Sequence, residues 1–448
     1  MKRLLRYYLG DLFLTRRFYV LAGAMSVVFL LRYFVPEMGV LPFVLLVAGV
    51  TVAGVDYALL FLTRGKISGT RECPERFSNG DANEVAISLE SRYDFRVRAT
   101  VLDEIPSQFQ KRDLKFCVAL QPGATRRLSY PLRPVRRGSY RFGQVRLYAA
   151  SPIGWLHRRF IVAAEQTVKV YPSFLELRKY HLMAEASRRG ETGMRRKRLL
   201  GHSLEFEQIK AYVPGDDYRT LNWKATARTG SWMVNSYVEQ RSQQVYCIID
   251  KGRAMKMPFE GLSLLDYAIN ATLVISSVAV RGQYRAGVIT FSNRVDTLLA
   301  AERTEARTRE ILEALYHQKT GYPESDYERL YIAVRNHIPQ RSLLILFTNF
   351  ETLSALKRQE PYLRKMATRH RVVVVLFENT EIAGLLREGA SEVAEVYTQV
   401  VAEKFAYEKK LIVRELQHWG IAAILSAPRA VTVDTLNKYL ELKARQAV

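Results

Sequence analysis

Two uncharged apolar runs near the start of this chain constrain its fold most. Residues 18–31 read FYVLAGAMSVVFLL before Arg32, and residues 38–55 read MGVLPFVLLVAGVTVAGV before Asp56, with apolar character resuming through Leu62. A helix crossing the ~30 Å hydrocarbon core of a bilayer needs about 20 residues. The second run reaches that length, and the first reaches it when Arg32 extends its charged end to the interface. Only Arg32 to Glu37, including Pro36, joins the two. The pair therefore predicts a helical hairpin over residues 1–66 with both ends on one side. Lys2, Arg3, Arg6, Arg16 and Arg17 precede the first run, and Arg64 and Lys66 follow the second. Positive flanks stay cytoplasmic, which puts the large remainder in the cytosol. A second apolar run directly after the first, without a small-residue cleavage site, argues against a signal peptide.

Beyond the hairpin the patterning changes twice. From 67 to 172 short segments alternate with period two, as in residues 84–89, 95–101, 115–120 and 144–148. Turn residues such as Ser78-Asn79-Gly80-Asp81 and Gln121-Pro122-Gly123 separate them. Many short strands with regular turns predict an all-β, sandwich-like domain. Residues 173–242 form a basic linker and a motif segment. Arg178, Lys179, Arg188, Arg189, Arg195, Arg196, Lys197 and Arg198 are opposed by Glu185 and Glu191 alone, and poor order is expected around 188–194. From 243 to 448 apolar strands alternate with helices, an α/β domain. Strands are predicted at 245–250, 284–292, 342–348, 371–377 and 420–426. Helices are predicted at 263–280, 304–317, 325–337, 354–369, 393–418 and 432–445. Runs such as Leu343 to Phe347 and Val372 to Leu376 are apolar throughout, the mark of parallel strands buried on both faces. Val288 to Phe291 and Val295 to Leu299 suit an antiparallel edge hairpin.

The segment 205–239 reads EFEQIKAYVPGDDYRTLNWKATARTGSWMVNSYVE and runs into the first α/β strand. Pro214, Gly215, Asp216 and Asp217 suit a turn, with Asp217 capping a following helix. Helical spacing would put Arg219 and Trp223 on one face, and Asp216 or Asp217 within reach of Arg219 or Arg228. The segment reads as a structural clasp that buries Trp223 against the α/β domain, or as a partner-recognition surface, since Trp and Arg are frequent hot-spot residues.

This motif, the following α/β pattern, and the stretches Arg133 to Tyr140 and Ser151-Pro152-Ile153-Gly154-Trp155 resemble the domain of unknown function 58 family. Its members are bacterial membrane-anchored proteins with a von Willebrand factor A-like domain, often encoded beside MoxR-type AAA+ ATPases. The resemblance implies a bacterial inner-membrane protein and a MoxR-type ATPase as partner. It also implies a comparison with the family fold's metal site, where a D-x-S-x-S loop, a threonine and a later aspartate hold Mg²⁺. Here Asp250 stands at the first position, Gly252 and Ala254 replace the serines, Ser325 stands for the threonine, and Asn349 replaces the aspartate. Lys251 and Arg253 add positive charge. Asp250 therefore reads as structural or paired with a nearby cation, and the site as degenerate. The alternative is an Mg-dependent, adhesion-type domain recognising an acidic ligand, with Glu351 or Asp326 as displaced carboxylate.

Other chemistry has little foothold. There is no phosphate-binding glycine loop, the seven histidines are scattered, and Cys73, Cys117 and Cys247 form no cluster. No catalytic residue, cofactor or small-molecule substrate is assigned. The balance of 67 Lys+Arg against 44 Asp+Glu, a net charge of +23, calls for an anionic neighbour. Seven arginines and no acidic residue lie between Arg126 and Arg146. Membrane lipid is the expected partner for this charge, and no nucleic-acid module matches. The expectation is a non-enzymatic scaffold or adaptor whose α/β domain binds another protein.

Overall fold

The computed structural model describes residues 10–35, 39–63, 65–110, 114–175, 177, 180, 204–213, 216, 218–239, 243–385 and 393–444. The basic cluster of 178–198 lies outside them, as do Pro214, Gly215 and Asp217. The chain divides into two compact units, Met1–Tyr171 and Pro172–Val448.

The first unit opens with strand β1 (Leu12–Leu14), helix α1 (Arg16–Phe34) and helix α2 (Leu41–Tyr57), which widens into a π-helical turn at Ala58–Leu62. No side chain of α1 is buried, and only Pro42 and Asp56 of α2 are. Both segments are long and apolar enough to cross a membrane, and such outward apolar surface is unfavourable in water. Arg32 stays inside α1 with its guanidinium 4.6 Å from the centroid of the Phe43 ring of α2.

Both ends of the helix pair are held by one loop. Thr15 caps α1, donates its hydroxyl to the Gly154 carbonyl at 3.0 Å, and donates its amide to the Trp155 carbonyl at 3.0 Å. At the far end Asp56, fully buried, accepts the amides of Trp155 and Leu156 at 2.8 Å each, and the Ser151 hydroxyl. The π turn leaves the Leu60 carbonyl to accept from Tyr93 (2.9 Å) and from the buried Arg158 (2.6 Å). Arg158 also stacks between Phe61 and Phe160, 4.9 and 4.8 Å from their centroids. The stretch Ser151–Trp155 is thus where the helices are gripped.

The rest of this unit is β-rich. Its strands are β2 (Ile67–Glu72), β3 (Arg76–Ser78), β4 (Asn83–Ser91), β5 (Val97–Asp103), β6 (Lys115–Leu120), β7 (Thr125–Leu132), β8 (Gly138–Phe142), β9 (Val145–Ala150), β10 (Leu156–Ala163) and β11 (Gln166–Tyr171). They form sheets ordered β1-β10-β9-β5-β6, β2-β4-β7 and β3-β11-β8. Inward residues of all three, among them Val85, Ile87, Val101, Leu147, Phe142 and Val168, make one core. The period-two alternation arises because each sheet buries one face. Inside lies a paired charge, Arg71 with Asp103, whose carboxylate also accepts the Tyr130 hydroxyl.

The second unit carries a two-stranded ribbon, β12 (Leu204–Ala211) and β13 (Met233–Glu239), with helix α3 (Trp223–Thr229) between its strands. A six-stranded sheet follows: β14 (Gln244–Asp250), β17 (Arg285–Phe291), β18 (Val295–Glu302), β19 (Leu343–Phe347), β20 (Arg371–Phe377) and β21 (Ala422–Ser426). The small hairpin of β15 (Pro258–Phe259) and β16 (Leu262–Ser263) stands apart. The order is β18-β17-β14-β19-β20-β21, parallel except for the β18 edge. Alternate residues enter two cores. Val245, Cys247, Ile249, Val373 and Val375 face helices α4 (Leu264–Arg281), α5 (Glu305–Tyr316) and α10 (Val431–Ala444). Tyr246, Ile248, Val372 and Val374 face α6 (Tyr327–His337), α7 (Leu353–Arg369) and α9 (Val393–His418), the last coming after the short helix α8 (Thr380–Leu385). Burial on both faces explains the unbroken apolar runs. It also explains α4, which matches a membrane span in composition but has 83% of that window buried in this core.

Replacing Asp56 by Ala strands two amides and a hydroxyl in a buried site. The full chain in detergent should lose on the order of 3–5 kcal/mol, with a smaller loss for Asp56→Asn, which keeps one oxygen. Thermal unfolding of the variants tests this, and an unchanged midpoint for the alanine variant refutes it.

Candidate functional site

The carboxyl ends of the parallel strands gather the loops after β14, β19 and β20, and loops are where such sheets place their sites. Asp250 ends β14 and is 2% exposed. Its Oδ1 accepts the Gly252 amide at 2.7 Å and the Ser325 hydroxyl. Its Oδ2 accepts the Thr348 hydroxyl at 2.7 Å and the Tyr327 hydroxyl at 3.3 Å. Burial pushes the carboxyl above the usual carboxylate range, opposed by the bonds from Ser325, Thr348, Gly252 and Tyr327. Burial and the neighbouring Asp250 charge raise the Tyr327 phenol well above its ordinary value. No cation pairs with Asp250 among the described residues; Lys251 turns away to Asp296 at 2.6 Å.

The loops are laced to one another by backbone. Lys251 N donates to Phe291 O at 2.8 Å, Arg253 N to Pro323 O at 3.1 Å, and Asp326 N to Ser292 O at 2.9 Å. Asp326 then caps α6. This lacing fixes Ser325 over Gly252, where an added Cβ would lie 1.8 Å from Ser325 Oγ and 2.9 Å from Asp250 Oδ1. A serine at 252 and the Ser325 hydroxyl need the same space.

Asn349 follows β19 and does not face Asp250. Its Oδ1 accepts from Lys409 Nζ of α9, which also donates to the Phe350 carbonyl at 2.6 Å. Burial lowers the Lys409 pKa from 10.5 to about 8, against the pull of Glu351. These residues do not fit a Mg²⁺ ion. Positions 252 and 254 offer no side-chain oxygen, an ammonium holds the Asn349 oxygen, the Asp250 oxygens are engaged, Asp326 caps α6, and Glu351 lies on the cavity with Lys409. Mg²⁺ requires near-octahedral oxygen ligands.

Beside Asn349 opens a cavity of ≈ 540 Å³. Met257, Phe259, Phe377, Phe405 and Leu425 give it apolar walls, and Asn349, Glu351, Glu378 and Lys409 polar points. An apolar cleft with a few convergent polar groups is the usual form of a ligand site.

The motif segment corrects three expectations. Trp223 is 73% exposed, so it is not a buried clasp. Arg219 sits in a 3₁₀ turn (Tyr218–Thr220), and α3 begins only at Trp223, capped by Asn222, whose Oδ1 accepts the Ala225 amide at 3.0 Å. The two therefore share no continuous helix; Arg219 lies over Tyr218, 5.8 Å from its centroid. Asp216 pairs with Lys210 at 2.9 Å rather than with an arginine, and Arg228 lies exposed in the last turn of α3. Sequence reasoning missed Thr348, Tyr327 and Lys409. Thr348 had a signal, as the first polar residue after the apolar β19 run; Lys409 had none, since its partner lies 60 residues away.

Residues 208–406 match the family model described as "Protein of unknown function DUF58". The chain carries a DUF58 region. That region runs from the β12–β13 ribbon through the Asp250 loops to Ala406 on the cavity wall. The uncharacterized protein YeaD of Bacillus subtilis (strain 168) is 27% identical over 124 residues, 28% of this chain and 31% of YeaD. The uncharacterized protein Rv1480 of Mycobacterium tuberculosis (strain ATCC 25618 / H37Rv) is 23% identical over 177 residues, 39% of this chain and 55% of Rv1480. The chain thus spans about a third to a half of the length of these curated relatives. Among solved structures, the conserved hypothetical protein BatB from Bacteroides thetaiotaomicron aligns over 44% of this chain and all of its own, with 13% identity and a TM-score of 0.26.

Two outcomes follow for the DUF58 region. Gly252→Ser should destabilise the chain by about 1–3 kcal/mol through overpacking, and Ser325→Ala in the same chain should restore most of that; chemical denaturation of both variants decides it. With lysines reductively methylated with ¹³C, the Lys409 signal should titrate near pH 8, well below the surface lysines, and vanish in Lys409→Arg. A Lys409 signal titrating among the others refutes the burial argument.

Proposed function

We propose that this chain is a non-enzymatic scaffold or adaptor of the bacterial inner membrane, multi-pass through its helix pair, with its soluble units in the cytoplasm. Its α/β unit, a von Willebrand factor A-like domain in strand plan, binds another protein there, a MoxR-type AAA+ ATPase by the family resemblance. The observation that carries the reading is the apolar cavity beside Asn349 and Lys409, at the same sheet edge where Asp250 is already fully engaged. A carboxylate whose oxygens already accept internal donors is a keystone of the loops and has little capacity left for proton transfer or metal binding. The adjoining cavity offers what a protein segment needs, namely apolar walls for an anchoring side chain and Asn349, Glu351, Glu378 and Lys409 to orient it. Membrane anchoring is supported by the two exposed apolar helices, and the cytoplasmic placement by their positive flanks and by the way both helix ends meet the Ser151–Leu156 loop.

The test is recruitment. Phe405 lines the cavity and is 42% exposed, so Phe405→Glu should leave the melting temperature nearly unchanged. Its affinity for a co-expressed MoxR-type ATPase, measured on purified full chain, should fall roughly tenfold or more. Unchanged affinity would refute this site, and absence of binding in both proteins would refute the partner.

A further inference from the structure

The tip of the β12–β13 ribbon is the other surface that needs a partner. Its polar groups are answered from within. Tyr212 N donates to Trp232 O at 2.8 Å, Asn222 N to Met233 O at 2.8 Å, and Met233 N to Thr226 Oγ1 at 3.0 Å. Gly230 closes α3 in the left-handed conformation (φ 67°), which glycine adopts without strain. With the backbone satisfied, the large side chains turn outward. Trp223 is 73% exposed, Trp232 62%, Tyr218 68% and Val213 57%. Half of the chain's 4 tryptophans therefore stand in solvent on one short ribbon, although aromatic side chains gain the most from burial.

Charge decides what covers them. From Tyr218 to Val238 the sequence holds Arg219, Lys224 and Arg228 and no acidic residue. Asp216, two residues before Tyr218, is paired with Lys210, and Glu239, just after Val238, stands opposite Leu204 at the other end of the ribbon from its tip. Neither Lys224 nor Arg228 joins an ion pair among the described residues. Exposed Trp and Tyr interleaved with cations is the composition that settles at a membrane–water interface. Each cation there is further attracted by anionic headgroups. We propose that this tip docks in the headgroup layer of an anionic bilayer, giving the chain a second attachment besides its helix pair. The inference rests on the membrane reading above, which brings a bilayer to the chain.

The experiment uses full-length protein in nanodiscs, one set of phosphatidylcholine and one of phosphatidylcholine with phosphatidylglycerol, each with and without acyl chains brominated close to the headgroup. Subtracting the emission of Trp223→Phe/Trp232→Phe isolates the two tryptophans from Trp155 and Trp419. In anionic discs that difference emission should be blue-shifted and should lose most of its intensity to the brominated lipid. Lys224→Gln/Arg228→Gln, or high salt, should return it toward its value in phosphatidylcholine. If the chain enters both discs and the difference emission stays unquenched and red, the proposal is overturned and the surface returns to a protein partner. If the chain enters neither disc, the membrane reading itself fails, and this inference with it.

Discussion

A carboxylate taken out of water must have its oxygens answered by internal donors, and each unit of this chain is organised around one. In the first unit Asp56 gathers the Trp155 and Leu156 amides and the Ser151 hydroxyl. In the second, Asp250 gathers hydroxyls and an amide from the loops after β14, before α6 and after β19. Among the described residues neither has a cation within ion-pair distance. Hydrogen bonds hold these carboxyl groups in place, so the loops that supply the donors are tied to them. This is why Ser151–Trp155 can grip two helix ends, and why the carboxyl edge of the sheet can keep an apolar cavity open.

What was legible in the sequence follows from the same physics. The α/β strands could be placed because burial on both faces demands unbroken apolar runs, and those runs leave no second periodicity to confuse them. The end of the first such run could be placed at Asp250, while its choice as a site residue came from the family resemblance. The helix pair could be recognised because a membrane span needs continuous apolar length. What the sequence hid were partners far along the chain. Ser151 lies 95 residues from Asp56, and Thr348 lies 98 from Asp250. Local patterning has no access to such pairs.

The motif segment was misread for a local reason. A Pro-Gly-Asp-Asp turn followed by Arg and Trp invites one helix capped by Asp217. The chain instead makes a 3₁₀ turn at Tyr218–Thr220, lets Leu221 bridge to Val234, and caps the helix at Asn222. The cap is chosen by the ribbon, since Asn222 Nδ2 also donates to Asn235 Oδ1 on β13 at 2.8 Å. Starting the helix three residues after Thr220 rotates Trp223 out of register with Arg219. A tertiary hydrogen bond thereby turns a candidate core residue into surface.

The contacts of Asn349 also decide which cation stands at this sheet edge. A divalent ion at the carboxyl edge would repel any ammonium within a few ångströms, and at 4 Å even two unit charges interact by about 4 kcal/mol at an effective dielectric near 20. Lys409 reaches Asn349 from α9, so an aspartate there would give it a buried ion-pair partner, while the amide gives it a neutral acceptor. A neutral acceptor leaves the ammonium only partly compensated, and burial then draws its pKa to about 8. The edge of this sheet thus carries a cation supplied by the chain itself, weakly held as a charge and strongly placed as a donor. Such a group can orient an incoming carbonyl or carboxylate at the cavity mouth without any ion having to bind first.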